Sequence, residues 1–253
     1  MGQTFEVIRQ GTARSNQVPI LVARRERCLV VAIGVIIATR IDLRERLMER
    51  PSGEHTALGF RVHSGWAALA VLTGPVDSPM VVDRKRIDIA DAHISGSKQP
   101  YHAAGAMKLE EAKTLIQACT ESSTRLATGG VQAAIADAKL GGYRVSAAGV
   151  LTSSGRPLPA LEKILSSHPL LHTAEGELFR HAILSACESC GLALVTVKEK
   201  ELLGCCPRKL GVSDAAVLQH LARMGRAVGS PWRQDEKFAA LAAWIAMAEE
   251  TQK

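Results

Sequence analysis

Aromatic side chains are scarce in this sequence, with four Phe, three Trp and two Tyr making up 4% of its residues. A groove that holds single-stranded nucleic acid without regard to sequence needs a succession of rings for bases to stack on, and this composition argues against one. Long apolar runs are also missing. The longest, Cys28 to Ala38, has 11 residues, against the roughly 20 that a membrane-spanning helix requires. Arg24, Arg25 and Arg27 precede that run in the manner of a signal peptide, but Arg40 and Asp42 follow at once, without a small-residue cleavage site. Secretion and membrane insertion are therefore not expected. A disulfide framework is lacking too: six cysteines in 253 residues are too dilute for a disulfide scaffold. Reduced thiols in a cytoplasmic protein are the simplest expectation.

The apolar share of 47% and charged share of 22% are those of a globular protein, and the apolar mass is Ala, Leu and Val, which suits helices packed on a buried sheet. The net charge of +6 permits binding to a polyanion without requiring it. It is spread evenly. Residues 1–55 hold nine arginines, no lysine and six acids, a surplus of three, and the remainder of the chain carries the same surplus.

Composition divides the chain. Residues 1–55 are arginine-rich and end at the breaker Pro51-Ser52-Gly53. Within them, 29–37 reads as a strand and 42–49 as a short helix. The segment is read as an appendage, poorly ordered or an over-long start of the reading frame, and 56–253 as the folded domain. In the domain, 59–72 reads as a strand, a hinge at His63-Ser64-Gly65 and a second strand. Gly74-Pro75 turns the chain into a third strand over 79–90. Residues 91–107 read as a loop. Helical periodicity then runs from Leu109 to Leu140, with Gly129-Gly130 as a candidate kink. Further strands are read at 143–151 and 192–197, and helices at 159–167, 174–190, 214–228 and 234–249. An antiparallel opening followed by strands alternating with helices implies an α/β fold, a mixed sheet that opens with a β-hairpin and is covered by helices.

Two stretches resemble the ribonuclease-H-like superfamily, and within it the RuvC-like branch of junction resolvases. The first is Gly59-Phe60-Arg61-Val62-His63-Ser64-Gly65-Trp66-Ala67-Ala68-Leu69, similar to the family's opening strand. The second is Gln234 to Trp244, similar to its closing helix, where an acid precedes an alanine-rich face. The chain also resembles a bacterial protein group, which adds no chemistry. The superfamily resemblance implies a nuclease site of three or four carboxylates around two Mg²⁺ or Mn²⁺ ions, and branched or structured nucleic acid as partner. Carried over, it makes His63, Glu177 and Asp235 the candidate catalytic residues and Glu175, Glu177 and Asp235 the candidate metal ligands. The sequence departs from the pattern at two places. His63 stands where the first acid belongs, and the strand ending at Leu151 carries none. The implied function is thus nucleic-acid binding with degenerate or absent metal-dependent cleavage. The alternative is a non-catalytic scaffold or interaction module, a homo-oligomer included. A phosphate-binding relative of the actin-like ATPases is a weaker third option, since their Asp-x-Gly turn is here His63-Ser64-Gly65.

Other candidate groups have plainer readings. His168, His172, Glu175, Glu177 and His181 concentrate ligand-type side chains, but Pro169 sets His168 apart from the helix and Thr173 reads as its N-cap. Cys187, Cys190, Cys205 and Cys206 could supply thiolates to zinc, although their spacing lacks the tight turns of zinc knuckles. Asp83-Arg84-Lys85-Arg86 reads as a charged edge strand, which discourages sheet-to-sheet association. Phe238, Leu241, Ala242 and Ile245 read as the core stripe of the last helix.

Overall fold

The computed structural model describes residues 55–153 and 157–251. The chain divides into two units, Met1–Pro51 and Ser52–Lys253, and only residues of the second are described. The strand read at 29–37 and the helix read at 42–49 lie outside the described residues.

Five strands form one sheet: β1 (Thr56–His63), β2 (Trp66–Thr73), β3 (Met80–Asp88), β4 (Val145–Thr152) and β5 (Ala193–Lys198), in the order β3-β2-β1-β4-β5. β2 runs antiparallel to both β1 and β3, whereas β1, β4 and β5 are parallel. The helices are α1 (Pro100–Ala104), α2 (Leu109–Leu140), α3 (Leu161–Leu165), α4 (His168–Ser189), α5 (Cys206–Leu210), α6 (Asp214–Val228) and α7 (Gln234–Thr251). The expected α/β architecture, a mixed sheet opening on a hairpin and covered by helices, is what the structure has. β3 is indeed an edge strand, and Lys85 in it is tied to Asp83 and Asp137 rather than left free.

Side chains alternate across the strands, and each face of the sheet has its own core. Leu58, Phe60, Leu69, Val71 and Val150 pack with α2 and α4 on one side. The other face is lined by small residues, among them Ala57, Ala68, Ala70 and Ala147, and receives α7. Two paired glycines, Gly59 and Gly149, set how closely α7 approaches. A Cβ on Gly59 would lie 1.9 Å from the Ala239 carbonyl oxygen, and one on Gly149 would lie 2.0 Å from that of Ala242. Helix backbone therefore rests directly on strand backbone.

Four local readings are corrected. α7 is buried all round from Ala239 to Ala248, not along one stripe, because α5 and α6 cover the side away from the sheet. α2 runs unbroken through Gly129-Gly130. α4 begins at His168, with Pro169 in its first turn, where the missing N–H costs nothing. Thr173 is inside this helix, and its hydroxyl donates to the Pro169 carbonyl at 2.9 Å. The loop read at 91–107 contains the short helix α1. Among the described residues, no helix is long and apolar enough to cross a membrane.

Candidate functional site

The parallel strands β1, β4 and β5 end on the same side of the sheet, and in open α/β sheets ligands bind beyond the carboxyl ends of the strands. β1 delivers Arg61 and His63 to that end on the same face as Gly59, two and four residues further along. α7 runs back over this face. Asp235 lies one helical turn, about 6 Å, before Ala239, the residue that meets Gly59. The close glycine contact thus places Asp235 above Arg61 and His63.

The resulting network is short and charged. Asp235 Oδ1 lies 2.8 Å from His63 Nε2 and accepts from Arg61 Nη1 at 2.5 Å. Arg61 also grips Glu199, just past β5, through Nε at 3.2 Å and Nη2 at 2.6 Å, the paired geometry that makes Arg–carboxylate contacts strong. The hydrogen bond to Glu199 raises the Arg61 pKa, outweighing its desolvation. Burial alone would raise the Asp235 carboxyl, but the hydrogen bonds from His63 and Arg61 hold it below the ordinary carboxylate range. The His63 ring stacks on Trp66 with centroids 4.3 Å apart, and the Arg86 guanidinium lies 4.3 Å from the Trp66 centroid.

A cleft beside this network is lined by Val62, Thr152, Ser153, Arg180, Lys200 and Phe238, with Glu199 at its edge. Glu177 reaches it from α4. Its carboxylate accepts from Ser153 Oγ in a very short contact and from Arg180 Nη2 at 2.9 Å. Burial would raise the Glu177 pKa, but the bonds from Arg180 and Ser153 overcome that and lower it. Arg180 Nε is buried and has no hydrogen-bond partner among the described residues.

The expected site residues thus have separate partners. His63 and Asp235 are in direct contact, and Glu177 is held by Ser153 and Arg180 at the neighbouring cleft. Glu175, two residues earlier on α4, points elsewhere: its Oε1 accepts from the His102 backbone N–H at 3.1 Å and lies 2.8 Å from His102 Nδ1. Among the described residues, Glu175, Glu177 and Asp235 do not gather into a three-ligand group, whereas His102, His168 and His172 do. The donor set does not fit a pair of Mg²⁺ or Mn²⁺ ions. Such a pair needs carboxylates in excess of cations, and here Asp235, Glu177 and Glu199 are matched by Arg61, Arg180 and Lys200. The four cysteines do not form a zinc site either. Cys187 packs in the layer of α2 and α4, while Cys205 and Cys206 pack in the layer of α7. Burial pushes the Cys187 and Cys206 thiols up to about 12, far from the thiolate form that metals bind. His181 stands apart, 3.4 Å from Ser185 Oγ.

Arg61, Glu199, Arg180 and His102 were not singled out from sequence. Arg61 carried a signal, since it shares a strand face with His63. The other three are placed by contacts between distant parts of the chain.

No family model matches this chain, and no curated protein resembles it in sequence. Among solved structures it is similar to Thermus thermophilus RuvC in complex with a Holliday junction substrate, at 10% identity and a TM-score of 0.43, over 78% of this chain and 96% of that one. It is also similar to a second T. thermophilus RuvC structure, at 11% identity and a TM-score of 0.39, with the same coverage.

Proposed function

We propose that this domain binds structured nucleic acid at the carboxyl ends of β1, β4 and β5 and does not run two-metal cleavage there. The observation that carries the reading is Arg180. Its guanidinium lines the cleft, spends one nitrogen on Glu177 and keeps a buried Nε with no partner among the described residues. A guanidinium in a cleft wall is a phosphate-binding group. Lys200 and Ser153 line the same cleft, and the hairpin carries a further cation and ring in the Arg86–Trp66–His63 stack. Charge balance supports the second half of the reading, because Asp235 serves to anchor Arg61 and His63 instead of standing open to a cation.

The test is fluorescence anisotropy with a labelled branched DNA over a salt series. Binding at low salt is expected to weaken as salt rises. The Arg180→Ala, Lys200→Ala double variant should flatten the slope of log K against log salt by roughly 0.9 for each phosphate that it leaves without a cation. No binding at low salt would sink this reading and leave a non-catalytic scaffold of the same fold, which the fully paired carboxylates also suit.

A further inference from the structure

Beyond the β1–β2 turn, three imidazoles meet on the surface of α1 and the start of α4. His168 and His172 are four residues apart on α4, so they share a helix face. His102 comes from α1. The His172 ring centroid is 4.6 Å from that of His168 and 4.6 Å from that of His102, while His102 and His168 are 5.4 Å apart. One nitrogen of each ring can be chosen so that all three lie within 4.8 Å of one another. His168 and His172 are exposed and His102 is half-buried.

A second observation gives this group a direction. Glu175 is 1% exposed, and both of its hydrogen-bond contacts are to His102, through the backbone N–H and ring Nδ1. Its one ion-pair partner among the described residues is that same imidazole. Burying a carboxylate without a cation is costly, and no Lys or Arg meets it here. In the tautomer that donates its Nδ1 proton to Glu175, the His102 ring is held in place and its Nε2 lone pair is left for another partner. A carboxylate behind a histidine is the arrangement that orients metal-binding imidazoles and makes them more basic. A cation on Nε2 would supply the positive charge that Glu175 lacks.

We propose that His102, His168 and His172 bind a divalent transition-metal ion, zinc by the chemistry of the donors, with Glu175 as the positioning residue behind His102. Imidazole nitrogen selects zinc and its neighbours over Mg²⁺, Mn²⁺ and Ca²⁺. Three Zn–N bonds of about 2.0–2.1 Å at tetrahedral angles put the nitrogens about 3.3 Å apart, so the exposed rings of His168 and His172 rotate inward by an ångström or so on binding. Three protein ligands leave a fourth position for water or an outside ligand. The ion would add a clip between α1 and α4, which already meet through the Glu175–His102 hydrogen bonds and a small apolar layer of Tyr101, Leu170, Leu171 and Ala174. His102 also lines a surface cleft with Ser64, Lys98 and Gln99, so a bound ion would stand beside the β1–β2 turn.

The experiment is isothermal titration of ZnCl₂ into the full chain, stripped with chelator and carrying no histidine tag, with thermal melts in parallel. One equivalent is expected to bind in the micromolar range or tighter, to raise Tm, and to persist in excess Mg²⁺. The exposed variants His168→Ala and His172→Ala should fold as the parent does and abolish that equivalent. Glu175→Gln should weaken it roughly 10–100-fold; because Glu175 is buried, this variant counts only if its chelated form has the far-ultraviolet circular dichroism of the parent. Zinc uptake that is unchanged in both histidine-to-alanine variants would put the metal elsewhere and overturn the proposal, as would the absence of any binding.

Discussion

The two ends of α4's environment handle charge in opposite ways. At the carboxyl end of β1, each carboxylate is matched by an arginine: Asp235 and Glu199 by Arg61, and Glu177 by Arg180. Around His102 there is a carboxylate without a Lys or Arg, and three imidazoles with unspent nitrogens. Sequence resemblance pointed to Asp235 and Glu177 in the first region and to Glu175 in the second as metal ligands, and in the first the carboxylates are held by arginines. The second region has the open donors, and they are nitrogens. Similarity of a motif therefore locates a place in the fold without saying which charges have been exchanged there.

Several substitutions would break or sharpen this contrast. The largest effect is expected from Gly149→Val, which drives side-chain atoms into the α7 backbone at Ala242. It should cost 3 kcal/mol or more, at or above the upper end of the usual ~1–3 kcal/mol for overpacking, as measured by urea unfolding. Zinc binding by the folded fraction should be retained, since α7 takes no part in the histidine group. Arg61→Ala comes next. It strands Asp235 and Glu199 and should destabilise by roughly 1–3 kcal/mol, while the same change in charge at Lys85, on the exposed edge, should cost at most about 1 kcal/mol.

The pH dependence follows from the lowered pKa values of Asp235 and Glu177. A carboxylate whose folded pKa is depressed contributes stability that is complete above its unfolded value, about 4. That stability is lost as pH falls through the folded value. Urea unfolding from pH 7 to pH 3 should show this decline in the parent, and Asp235→Asn should flatten it. An unchanged profile would mean that the Arg61–Asp235–His63 network stores no stability. The smallest effect is expected from Arg86→Ala, which removes the cation over Trp66. It should cost about 0.5–1 kcal/mol and alter tryptophan fluorescence without changing zinc uptake.

Much of the fold was legible. The break at His63-Ser64-Gly65, the turn at Gly74-Pro75 and the helical periodicity of 109–140 are local signals, and β1, β2, β3 and α2 appear where those signals put them, the last without the kink read at Gly129-Gly130. What was illegible depended on position in space. Pro169 reads equally as a boundary or as a first-turn residue, and the first reading separated His168 from His172. His102 lies 73 residues from Glu175, in a stretch read as a loop, so no spacing pattern could join them. The complete burial of α7 follows from α5 and α6 folding over it, which an alanine-rich helix does not announce. Asp235 was found because the stretch Gln234 to Trp244 resembles a closing helix with an acid before an alanine-rich face, but its capture by Arg61 was not, since alternation along β1 shows a shared face and not a partner.

The central claim is that the Asp235 carboxylate is already engaged by Arg61 and His63 and so does not hold catalytic metal. Incubating the protein and its Asp235→Asn variant with branched DNA and Mn²⁺, and resolving the products by denaturing electrophoresis, tests it most directly. Neither protein is expected to cut the DNA, although the parent binds it at low salt. Mn²⁺-dependent cleavage by the parent that disappears in Asp235→Asn would contradict the claim.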